Sequence, residues 1–249
     1  MDESPSFAAS FDDPRITPQF CRRVTGAAGD YYLLGVVHDH PASVARVERV
    51  LESVDPETLA LELPTAALPL YRAYAREATD ETPPRFGGEM SAAISAAPDA
   101  TTVGIDAPNW SFLRRLVTRL IADRVSTTTA RRVISGLGGA TREALTCRLA
   151  ATLTHATSMT VACDDPIEYG CEHTDPPKVQ AAHERSHVAS VQALLGSVQT
   201  ADSALTYRDE AREHCMIDRL ESLRATTDGA VVAVVGVDHL EPIADGLSV

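Results

Sequence analysis

Apolar positions along the chain change period several times, and each change marks an element. Gln19–Val24 and Tyr31–Val37 are apolar-rich runs flanking Gly26–Gly29, the pattern of a hairpin. Pro41 then opens a segment in which Val44, Val47, Val50, Leu51 and Val54 recur at helical spacing, which predicts a helix with one apolar stripe. Thr58–Leu61 reads as a short buried strand, Leu70–Ala78 as a helix, Gly88–Ala97 as a helix of small residues and Thr101–Ile105 as another strand. Farther on, Cys163–Pro177 has the proline and aspartate content of a loop. Two helices, about Val179–Leu195 and Ser203–Arg224, precede a last strand at Ala230–Val235. Strands alternating with helices predict a layered α/β fold, a sheet with flanking helices. The 249 residues show no internal repeat and predict one domain over 1–249, with a helical insertion at about 112–200.

Composition narrows the setting. No apolar run approaches the ~20 residues of a membrane-spanning helix, and the acidic start, Met1–Pro14, has no basic-then-apolar progression of a secretory signal. Five cysteines without a CxxC pair argue against a disulfide scaffold and a zinc ribbon. A soluble cytoplasmic protein is expected. The net charge of −13 disfavours nucleic acid as a partner. Lys178 is the sole lysine among 22 basic residues, which fits a high-salt cytoplasm such as that of a halophilic archaeon, or an arginine-preferring genome. The segment Asn109–Ala151 runs against the trend, with eight arginines to two acids. A solvated helix face answers that pattern, and so does an anionic partner or a contact with a second copy in a homodimer.

The chemistry gathers at strand ends. His38, Glu62, Asp106 and His239 each stand at or just past the carboxyl end of an expected strand. In open α/β sheets ligands bind outside the carboxyl ends of parallel strands. If these strands run side by side, two imidazoles and two carboxylates meet on one rim, a donor set suited to a hydrolytic Zn²⁺, Mn²⁺ or Co²⁺. The helix from Ser203 adds an anomaly. Leu205, Met216, Leu220 and Leu223 share one face with Arg212, and a buried arginine needs an anionic partner. Glu62, Glu89 and Asp106 are the candidates. His183-Glu184-Arg185-Ser186-His187 also matches HExxH, a pattern that sets two imidazoles on one helix face with a glutamate as base. Arg185 falls where zincins carry uncharged residues. Cys163 and Cys171, with the acids and His173 around them, form a secondary candidate for a metal.

Six short motifs, in order, resemble the TraB/PrgY family, related to animal Wnt-inactivating membrane proteases and more distantly to the erythromycin-esterase/ChaN-like group. They are Gly35-Val-Val-His38, Leu59-Ala-Leu-Glu62, Gly88-Glu89-Met90 with its following alanines, Gly104-Ile-Asp106 with Arg114, Arg212-Glu213 with Met216, and Gly236-Val-Asp-His239. Ala107, Ala211 and Asp238 depart from the family's usual arginine, glutamate and glycine. The resemblance implies an α/β fold and a metal-dependent peptidase using His38, His239 and Glu62 or Glu89. The resulting expectation is a divalent-metal hydrolase acting on peptides or proteins, in which metal-activated water attacks an amide. His38, Glu62, His239 and Asp106 hold the metal, Glu89 is the general base, and Arg212 steadies the oxyanion or orients a carboxylate. A non-catalytic peptide-binding regulator on the same fold and an HExxH zincin are the alternatives.

The acidic, lysine-poor composition carries its own prediction. Counterions screen carboxylate self-repulsion, so the melting temperature should rise between about 0.1 and 2 M KCl. A thermal scan showing no change across that range would remove the halophilic reading.

Overall fold

The computed structural model describes residues 7–26, 29–79, 83–106, 118, 165–198 and 203–248. Most of the arginine-rich section and of the expected insertion, with Cys163 among them, lies outside the described residues. Five strands form one mixed sheet: β1 (Cys21–Gly26), β2 (Gly29–Val36), β3 (Thr58–Leu61), β4 (Thr101–Gly104) and β5 (Val231–Gly236), in the order β1-β2-β5-β3-β4. The hairpin is present, with β1 antiparallel to β2 and Cys21 opposite Leu34. The other pairings, β2 to β5, β5 to β3 and β3 to β4, are all parallel. Val36 is level with Gly236, and Leu61 is level with Val234 and Gly104. The carboxyl ends of four strands therefore share one rim.

Alternation along the strands splits the core into two layers. Leu34, Val36, Leu59, Leu61, Val232 and Val234 face one side. There they meet Val47, Val50 and Leu51 of α1 (Pro41–Val54) and Met90 and Ala93 of α3 (Gly88–Ala96). Leu33, Ala60, Val231, Ala233 and Val235 face the other side, against Met216 and Leu220 of α5 (Ser203–Arg224) and Leu240, Ile243 and Leu247 of α6 (Val237–Leu247). Burial on both faces is what allows a parallel sheet to carry almost unbroken apolar strands. A smaller cluster of Ala67, Leu70 and Tyr74 lies under α2 (Leu68–Ala75). The helix α6 follows the last expected strand and contains a residue that commonly breaks helices, Pro242. His239 falls in the first turn of this helix rather than in a loop. Among the described residues no helix is long and apolar enough to cross a membrane.

A further helix, α4 (Pro177–Val198), is pinned by a buried ion pair. Arg46 and Glu184 are both fully buried and hydrogen-bonded to each other. The Arg46 guanidinium also donates to the carbonyls of Gly35 (2.8 Å) and Arg15 (2.7 Å) and lies over the Phe20 ring. Glu184 takes a further 2.5 Å bond from the Ser43 hydroxyl. Both charged groups of this pair therefore have partners beyond each other, the condition under which a buried pair is tolerated. Arg46→Met should cost about 3–5 kcal/mol, the usual penalty for stranding one buried charge. Adding Glu184→Gln should recover part of that loss in a denaturant titration. A single mutant as stable as the parent would show that the pair holds nothing.

Candidate active site on the carboxyl rim

The first half of the site surrounds His38. The chain leaves β2, turns through Asp39 at a φ of 57°, and enters α1 with His40 as its cap. Glu89 stands in the first turn of α3 and is 1 % exposed. Its Oε1 lies 3.0 Å from His38 Nδ1, and its Oε2 accepts the Asp39 N–H at 2.9 Å. This closeness depends on Gly88, whose φ is 44° and where a Cβ would sit 2.2 Å from Asp39 Oδ1. A side chain there would push helix and turn apart. The ligand atoms of His38, Asp39 and Glu89 all lie within 4.8 Å of one another, the one such three-donor group among the described residues. From the loop before α4, the Tyr169 hydroxyl donates to the His38 carbonyl at 2.6 Å and the Ile167 N–H to Asp39 Oδ2 at 3.0 Å.

The second half is built around Arg212. Its Nε and one terminal nitrogen donate to the two oxygens of Asp106, at 3.0 and 2.9 Å, and the same terminal nitrogen reaches Glu62 Oε1 at 2.6 Å. Burial works against this cation, but the hydrogen bonds and charges of Asp106 and Glu62 raise its pKa overall. The other Glu62 oxygen accepts the N–H of Gly236 at 2.6 Å, at the point where β5 gives way to α6. His239 follows one turn later. Its Nδ1 is 2.9 Å from Glu213 Oε1, and its Nε2 is 3.6 Å from Glu62 Oε1. Gly35, the glycine of the first GxxH, lets α6 lie against β2: a Cβ there would meet Leu240 at 2.9 Å.

Between the two halves lies a cleft of about 250 Å³. His38, Glu62 and His239 line it, and α4 contributes His187, Val188 and Val191. The four strand-end residues thus reach one rim as expected, but in two groups. Arg212 takes Glu62 and Asp106 as its partners, two of the three expected, while Glu89 turns instead to His38. Asp106 gives both oxygens to Arg212 and is not among the residues that line the cleft. Sequence reasoning passed over Asp39, the pairing of Glu213 with His239, and the wall supplied by α4. Glu213 carried a usable signal, since it stands beside Arg212 in the same helical turn.

The HExxH side chains go to separate partners. Glu184 is buried against Arg46, and His183 Nδ1 sits 3.0 Å from His40 Nε2. Of the two motif histidines, His187 is the one that lines the cleft. His40 accepts the Ala42 N–H through Nδ1, so its Nε2 carries the proton and donates to His183. Burial, then the neighbouring His183 and Arg46, push the His40 pKa down to about 4. Cys171 is buried, and burial together with Asp175 raises its thiol pKa. Among the described residues no three-donor group forms around it. No family model, curated protein or solved structure matches this chain.

The Arg212 fork is directly testable. Arg212→Met leaves Glu62 and Asp106 facing each other without a cation, and Arg212→Lys supplies charge without the planar two-point geometry. Both variants should melt below the parent, the methionine variant by more. Adding Asp106→Asn should restore part of the methionine variant's loss, because it removes one of the two stranded charges. Equal melting temperatures for parent and Arg212→Met would refute the assigned role.

Proposed function

We propose that this protein is a divalent-metal-dependent hydrolase of peptides, working in the cleft on the carboxyl rim. The observation that carries the reading is the opening of His38, Glu62 and His239 onto one cleft, with each imidazole held at Nδ1 by a carboxylate. Metal-ligating histidines are characteristically held in this way by a carboxylate on the second ring nitrogen. The donor chemistry therefore fits a borderline or hard divalent ion such as Zn²⁺, Mn²⁺ or Co²⁺. His38, His239 and Glu62 would hold it, drawing together from a spread wider than the 4.8 Å that already groups His38, Asp39 and Glu89. Asp106 is assigned to Arg212 rather than to the metal. An ion bound there would supply a lowered pKa for water and polarisation of a carbonyl.

The chain's own residues do the positioning. Glu89 and Glu213 fix the tautomer and orientation of His38 and His239. With both its oxygens engaged and almost no exposure, Glu89 suits that role better than the general-base role expected from the sequence. Arg212 and the Gly236 N–H clamp one oxygen each of Glu62. Arg212 therefore orients a carboxylate, and its fork is already filled. A zincin reading fares worse, since Glu184 would have to act as base from a fully buried ion pair.

Elemental analysis of the purified protein, paired with a peptide-cleavage screen in high salt, tests the proposal. One divalent ion per chain and cleavage abolished by a chelator are expected. His38→Ala and His239→Ala should each lose most of the metal while keeping the parent circular dichroism. Glu213→Gln should weaken metal binding or activity by about 10–100-fold, as loss of a supporting carboxylate does elsewhere. A His183→Gln/His187→Gln double variant should keep its metal. Cleavage that survives complete metal removal would overturn the reading, and saturable peptide retention without cleavage would favour a binding protein.

A further inference from the structure

The α4 helix does two things at once. Gln180, Ala181, Glu184 and Val188 are buried against the body, and Gln180 ties down the preceding loop through the carbonyls of Glu172, His173 and Asp175. Offset along the helix from that docked face, His187 and Val191, with Val188 between them, reach the cleft. Val37, just past β2, and Val237, at the start of α6, line the cleft as well. The lining therefore sets the valyl side chains of Val37, Val188, Val191 and Val237 among imidazoles and carboxylates. Among the described residues that line it are the carboxylates Glu62 and Asp238 and no lysine or arginine. Behind them Asp39, Glu89, Asp106 and Glu213 add negative charge, against the guanidinium of Arg212. At about 250 Å³ the cleft lies at the small end of ligand sites. It has room for one residue-sized apolar group beside a backbone carbonyl.

We propose that the valine wall of Val188 and Val191 from α4, with Val37 and Val237, is a specificity pocket for an aliphatic side chain of the substrate, next to the bond presented to His38 and His239. Aliphatic residues gain by leaving water, and acidic residues are turned away by the carboxylates at the same site. The wall rests on the hydrolase reading only for what happens after binding. Its recognition step stands apart from cleavage.

The test uses dye-labelled peptides Gly-Gly-X-Gly-Gly, with X as Leu, Ala, Asp or Lys, on the full chain in high salt. Fluorescence anisotropy reads binding, and mass spectrometry of the same samples reads cleavage. The Leu peptide should bind at least about tenfold more tightly than the Ala or Asp peptides, the scale of discrimination an apolar pocket provides. Val191→Asp should erase that preference and improve binding of the Lys peptide. Val191→Thr, which keeps the shape, should reduce the preference without removing the fold. This second variant decides the matter if the aspartate variant fails to fold. Equal affinities for all four peptides, or a Leu preference unchanged in Val191→Thr and Val191→Asp, would overturn the pocket. Preferential binding without cleavage supports the pocket and counts against the hydrolase. Cleavage without preference does the reverse.

Discussion

The guanidinium of Arg46 is the point from which much of this architecture is hung. It lies in the interior and is bonded to the N-terminal loop at Arg15, to β2 at Gly35 and to α4 at Glu184. A charge in that position has no water to fall back on, so each of those groups must arrive for the others to be tolerated. The valyl side chains of α4 reach the cleft because Glu184 is held there. The GxxH turn keeps its path for a related reason: Ser43, which bonds Glu184, also takes the Val37 N–H at 2.8 Å. A buried pair of this kind contributes little net stability, but it fixes which surfaces meet.

Charge governs the rim as well. Carboxylates there outnumber cations, and the structure resolves the conflict by division of labour. Glu89 and Glu213 each steady an imidazole, while Asp106 neutralises most of Arg212. Glu62 is left between Arg212 and His239, oriented by its neighbours and facing the cleft. Such a rim keeps an excess of negative charge next to the cleft.

Much of this was legible in the sequence. The hairpin, Thr58–Leu61, the helix from Pro41 and the helix from Ser203 follow from local periodicity, and the sheet keeps them where that periodicity places them. The demand of Arg212 for carboxylates could be read from its place among apolar neighbours. What could not be read depends on distance in space. Glu89 bonds His38 across 51 positions, and the choice between Arg212 and His38 as its partner is made by the tight approach at Gly88, a backbone feature without a signature in composition. The last helix accommodates a proline, Pro242, because one helical hydrogen bond can be given up there.

The position of β5 has a consequence for how the molecule comes to be made. It is the last strand along the chain, yet it lies between β2 and β3, and until it arrives those two strands have no contact in the sheet. A ribosome-bound chain would hold β2 and β3 apart, with apolar edges open, until Val231–Gly236 had emerged. Pairings this far apart in sequence close slowly, and exposed edges recruit other chains. The cleft is completed by the same event, because Gly236 and His239 follow directly on β5. Closure of the sheet and completion of the cleft are therefore a single step, and a chain interrupted before that strand has neither.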